Sequence, residues 1–253
     1  MTCLRLALAA LLLHAGVALA QTPEFPRFEG EIDLGAYMLN TRPARGSGQR
    51  GTNAFLFGEI GGALHLDPRL SFHATLHIEP LGRAEPQGGT IGLRREGAYL
   101  EALNAEFRPV EGLTLVLGKY VVPFGRGHGD FPGVVALFRA HETYLFNEAL
   151  GVMARATLPL DAEHGEHVIT AAAFTRDRSA FSTLLVGNRR RCCSSNYDRY
   201  ARNTAADGGP GNTGRLDNYA LALDGERIAL LPGFTYHAAL LSRGQGQDGT
   251  ARE

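Results

Sequence analysis

Apolar and polar side chains alternate with a period of two along most of the chain. In residues 28–40 the positions Phe28, Gly30, Ile32, Leu34, Ala36 and Met38 are apolar or small, while Glu29, Glu31 and Asp33 between them are acidic. Residues 53–66 repeat the beat, with Leu56, Ile60 and Leu64 on one parity and Asn53, Glu59 and His65 on the other. Residues 70–79 are the cleanest case: Leu70, Phe72, Ala74, Leu76 and Ile78 oppose Ser71, His73, Thr75, His77 and Glu79. Such alternation predicts strands with one face in an apolar medium and one in water, since successive side chains leave a strand on opposite sides. Further strands are expected at 97–107, 113–122, 149–158, 168–175, 216–224 and 234–242, nine in all. The first of these is irregular, because Glu101 falls on the otherwise apolar parity of Tyr99, Leu103 and Phe107.

The connections sort by length. Only 67–69 and 108–112 separate strands two from three and four from five, whereas 41–52, 80–96, 123–148 and 176–215 are long. Soluble sandwiches have no reason to alternate loops in this way, and very long loops are uncommon in compact domains. Outer-membrane barrels do alternate, with tight periplasmic turns and extended outer loops, and their strands need roughly 9–11 residues to cross. The expected fold is therefore all-β: an antiparallel transmembrane β-barrel, here partial, with about nine strands over 28–242. An odd strand count and the polar ending at 243–253 suggest a truncated tail or the start of an outer loop, as in the N-terminal portion of a longer protein. Residues 1–20 read as a secretory signal peptide: Arg5, the apolar run 6–13 and the small-residue exit Ala18-Leu19-Ala20. A short lead, 21–27, follows, too short for a plug domain.

Composition narrows the function classes. The 253 residues carry a net charge of −1, 44% hydrophobic side chains, 32 Gly, 3 Cys and no Trp. Bulk-charge binding to nucleic acid is excluded by the first figure, and a disulfide scaffold by the cysteine count. A mean hydropathy of −0.11 excludes a helical membrane bundle but not a barrel, whose alternating strands average to ordinary values.

Residues 112–125, with Gly118-Lys119 and then Pro123-Phe124-Gly125, resemble the strand and loop of a "GK…PFG" segment in bacterial outer-membrane porins, notably the phosphate-selective and siderophore-porin-like groups. The Gly-rich stretch 207–214 and the run 216–225 are similar to other porin-like sequences. The resemblance implies an outer-membrane channel of a Gram-negative bacterium, passing small hydrophilic solutes by diffusion, with no cofactor and no enzymatic activity. The expected partners are outer-membrane lipid, lipopolysaccharide, the barrel-assembly machinery and the solutes, with self-association left open. A selective anion or siderophore channel is the alternative, ahead of a barrel hydrolase or an adhesin.

Candidate site residues follow. Glu29, Glu31, Asp33, Glu59, His65, His73, His77 and Glu79 share the water-facing parity and should line the lumen. Arg126, His128, Asp130, Arg139, His141 and Glu142, in the third long loop, could form a constriction of the kind that sets selectivity in a narrow pore. Arginines of the outer connections, from Arg42 to Arg202 and including Arg199, suggest either an anion funnel or docking to lipid phosphates. Cys192-Cys193 could close a vicinal disulfide or stay as thiols. No metal site is expected. His73 and His77 would share an ion on a helix, but on a strand they stand about 13 Å apart, and the polar turn 161–167 reads as solvated.

Overall fold

A computed structural model describes residues 24–41, 50–81, 89–93, 95–125, 148–158, 160, 163–187 and 198–246. The strands are β1 (Arg27–Thr41), β2 (Gly51–His65), β3 (Leu70–Pro80), β4 (Gly89–Gly92), β5 (Glu96–Val110), β6 (Leu113–Tyr120), β7 (Ala149–Leu158), β8 (Glu166–Arg176), β9 (Val186–Gly187), β10 (Asn218–Glu226) and β11 (Tyr236–Ser242). Nine of them form one antiparallel meander in the order β1-β2-β3-β5-β6-β7-β8-β10-β11. All nine expected runs are strands. Among the described residues β1 and β11 do not pair with each other, so the sheet is open at both edges.

Two short strands were not expected, and both lie in long connections. β4 pairs in parallel with the first residues of β2, and β9 pairs with Gly97 and Ala98 of β5. Each occupies a lane that the neighbouring long strand has already left, so the long connections fold back to extend the sheet at its loop end. Parts of them are structured, including the short 3-10 helices Ala180–Ser182, Asp198–Tyr200 and Ala205–Asp207.

The pairing register assigns the two faces. Asp33, Glu59, His77 and Tyr99 stand side by side across β1, β2, β3 and β5. Glu29, Ala63, His73 and Asn104 form another such row. On the opposite face the rows are apolar, as in Phe28, Leu64, Phe72 and Ala105, or Leu115, Ala154, Ala171, Leu221 and Leu240. That outer face is bare: Phe28, Ile32 and Met38 are each 72% exposed, Leu117 64% and Leu240 69%. The inner face carries charged residues on β1 to β5; on β6 to β10 Val116, Met153, Ala172 and Ala220 form a buried row packed against Phe124, with Arg155 and Asp224 on the same face nearer the short turns.

Two local breaks of parity shape the inner face. A bulge in β5 leaves Glu101 unpaired between Leu100 and Ala102 opposite Thr75 and Leu76 of β3. A bulge places an extra residue on one strand, and this explains the irregular parity seen in the sequence: Tyr99 lies on the inner face before it, whereas Leu103 and Phe107 lie on the outer face after it. The second break is at Gly118, whose φ of +133° only glycine adopts freely and which precedes two consecutive buried residues, Lys119 and Tyr120. A Cβ there would collide with the Leu103 carbonyl and the Asn104 backbone.

Gly118→Ala should destabilise the fold by about 1–3 kcal/mol, the cost of a strained backbone with no room to relax. Gly61→Ala, where a Cβ meets nothing within 4 Å, should stay within about 0.5 kcal/mol of wild type. Urea unfolding midpoints of the refolded variants check both.

Candidate functional site

The inner face is richest in chemistry at its loop end, where β3, β5 and β6 meet the described part of the connection 177–217. Lys119, the single lysine of the chain, is 2% exposed and bonded on three sides. Its Nζ donates to the Phe181 carbonyl at 2.8 Å and lies 2.9 Å from Asp177 and 3.3 Å from Glu148. Glu148 in turn receives both guanidinium nitrogens Nη1 and Nη2 of Arg199. Arg199 lies flat over the Tyr99 ring, 3.5 Å from its centre, and reaches Glu79 at 3.8 Å. A desolvated cation over an aromatic ring contributes about 2 kcal/mol. Leu81 and Leu184 pack with Tyr99 beside this network and fill the space that a side chain at Gly97 would need.

The chain builds this cluster locally as well. Asp177 follows the last residue of β8 and accepts the Ser179 amide at 2.7 Å, which starts the 3-10 helix that presents the Phe181 carbonyl. Burial would raise the Asp177 carboxyl, but the hydrogen bond and charge of Lys119, with the Ser179 amide, outweigh it and hold the group below its ordinary range. Around Arg199 the same opposition favours the ion: burial disfavours its charge, and Glu148 and Glu79 hold it protonated well above its usual value. Asn212 and Asn218 brace the Gly-rich turn beyond. Asn218 Nδ2 donates to the Phe174 and Gly211 carbonyls while its oxygen accepts the Gly244 amide.

A second centre lies next to the first. His77 is 1% exposed, with the Phe57 ring edge-on at 5.0 Å and the Tyr99 ring at 5.2 Å. Its Nδ1 is 3.5 Å from Glu59 and 4.0 Å from Glu101, and its Nε2 is 3.8 Å from Glu79. Among the described residues neither ring nitrogen has a hydrogen-bond partner at good geometry. A buried polar atom without a partner costs about 1–3 kcal/mol, so the site is under-satisfied as it stands.

The eight alternating polar residues of the first three strands, Glu29, Glu31, Asp33, Glu59, His65, His73, His77 and Glu79, lie on one face of the sheet, in unlike environments. Glu29, Glu31 and Asp33 are exposed, but His77 is enclosed beside the Phe57 and Tyr99 rings, with the bulged Glu101 on its Nδ1 side, instead of being wetted. His65 contacts Glu29, and His73 contacts Ser71 and, at 3.7 Å, Glu106. Arg199 is likewise no part of a solvated outer funnel, since it lies in the interior. At the start of β8, both His167 nitrogens are taken, by Tyr236 and by the carbonyl of His164 in the preceding turn. The constriction residues Arg126, His128, Asp130, Arg139, His141 and Glu142, the Cys192-Cys193 pair and the leader 1–20 lie outside the described residues.

The sequence reading passed over Tyr99, Glu101, Glu148 and Asp177. Only Glu101 carried a signal, its broken parity. The motif residues Gly118 and Lys119 were singled out by resemblance, and the structure gives them a mechanical role: a glycine break that turns a lysine into a buried ionic anchor, followed by Pro123, Phe124 and Gly125 as the chain leaves the sheet. No protein-family model matches the chain, and no match is found among curated proteins or solved structures.

Because the folded value of Asp177 lies below its unfolded one, the stability it contributes is present above about pH 4 and is lost as pH falls through the folded value. Asp177→Asn should therefore be less stable than wild type by about 1.5–3 kcal/mol near neutrality. The gap should narrow steadily at lower pH, below about 4, in urea unfolding followed across a pH series.

Proposed function

We propose that this chain forms the wall of a porin-like channel in the outer membrane of a Gram-negative bacterium, through which small hydrophilic solutes diffuse. The observation that carries the reading is the separation of faces over nine paired strands. One face exposes large apolar side chains from β1 to β11, and an apolar surface spread over a whole sheet face marks contact with lipid or with another protein. The other bears the row Glu29, Glu31 and Asp33, exposed and acidic. Hydrocarbon outside and water inside is the medium that such a sheet fits. Short turns at one end, long connections at the other and a leader-like start at residues 1–20 agree with it.

In lipid every backbone donor and acceptor must be paired. The free edges of β1 and β11 therefore need partner strands for the wall to close, from further strands or from a second copy. Solutes would pass along the acidic half of the inner face, so small cations should be favoured over anions.

Protein refolded into detergent and added to planar bilayers should give stepwise conductance with a cation-selective reversal potential. Bilayers that stay silent, or a chain that remains monomeric and soluble without detergent, would overturn the reading. Leu117→Arg on the outer face should cost about 2–4 kcal/mol in bilayer-inserted stability. Glu31→Gln on the inner face should spare insertion and weaken cation preference.

A further inference from the structure

We infer that Glu59, His77 and Glu101 form a binding site for a divalent transition-metal ion of the zinc class. One ligand atom from each residue can be chosen so that all three lie within 4.8 Å of one another. Ligands about 2.0–2.1 Å from a tetrahedral ion sit roughly 3.4 Å apart. The Glu59 and Glu101 carboxylates, at 3.5 and 4.0 Å from His77 Nδ1, need only small side-chain rotations to close on an ion.

The imidazole supplies the independent observation. A histidine 1% exposed, with both nitrogens lacking hydrogen-bond partners at good geometry among the described residues and Nδ1 aimed between two carboxylates, is arranged for a ligand that accepts its lone pair. Its other nitrogen faces Glu79, which is tied to Arg199. Ligating histidines commonly direct their second N–H to a carboxylate, and Glu79, 3.8 Å away, is the group placed to take that role once an ion holds the ring. The flanking Phe57 and Tyr99 rings provide the apolar surround. The Glu59 side chain is 39% exposed, so an ion can enter from the inner face and keep water in its fourth position.

The donor set selects the ion. One imidazole with two carboxylates suits zinc, cobalt or manganese; magnesium and calcium prefer oxygen donors alone, and copper(I) prefers sulfur. The ligands come from three adjacent strands, and Glu101 reaches the site because the β5 bulge turns it inward. The inference goes beyond the channel reading and does not depend on it.

The test uses the whole chain, untagged, refolded in detergent and stripped of metal. Titration with zinc alone, followed by calorimetry, should give one saturable site per chain. Cobalt should occupy the same site with visible d–d absorption of low coordination number, displaced by zinc. Glu101→Gln and Glu59→Gln, which keep side-chain shape, should each weaken binding by at least the roughly 10–100-fold that loss of an outer partner costs. His77→Ala should do the same, and His73→Ala, two pleat repeats or about 13 Å away on the same strand and face, should leave affinity unchanged. Absent saturable binding, or affinity unmoved in both glutamine variants, would overturn the site. Should His77→Ala fail to fold, the glutamine variants decide. Zinc binding by a protein that carries no current leaves the site standing, and current without zinc binding removes the site alone.

Discussion

Backbone pairing at fixed register is the constraint on which the rest of this structure depends. Once β1 pairs with β2 and each strand with the next, the side-chain parity of one strand dictates the face of all the others. A slip of one residue would carry Glu29, Glu31 and Asp33 to the apolar face and Phe28, Ile32 and Met38 to the charged one. The contrast between an apolar and a charged face therefore holds the register, and the register holds the faces.

Against that regular background, the two breaks of parity concentrate the chemistry. The bulge at Glu101 places a carboxylate beside His77, a position that strict alternation would have assigned to the outside. The backbone of Gly118 lets two successive residues, Lys119 and Tyr120, both be buried. Tyr120 uses its hydroxyl to reach the Val152 carbonyl at 2.9 Å, while Lys119 gathers Asp177, Glu148 and the Phe181 carbonyl. A bulged or glycine-broken strand is a small deviation in backbone terms, yet each one changes which side chains meet.

The charged network at the loop end ties the long connections to the sheet. Asp177 and Phe181 belong to one stretch of the connection 177–217 and Arg199 to another, Glu148 immediately precedes β7, and all are joined through Lys119 and Tyr99. Buried ion pairs add little net stability over apolar packing, but removing one partner strands the other charge. Such a network specifies where the loops sit more than it strengthens the fold. The loop anchor and the proposed ion site share Glu79 and Tyr99 as a common wall.

All nine long strands, the alternation of short and long connections and the shared face of the alternating polar residues on β1 to β3 could be read from the sequence, because period-two patterning is local and each strand reports its own two environments. Glu101 showed only as an irregularity; its meaning needed the partner strand, since a bulge is defined by what lies opposite. The pairing of Lys119 with Asp177 and Glu148, the stacking of Arg199 on Tyr99 and the convergence of Glu59, His77 and Glu101 were decided by tertiary structure alone. Residues far apart in sequence meet there through register and loop folding, and no local pattern encodes those distances.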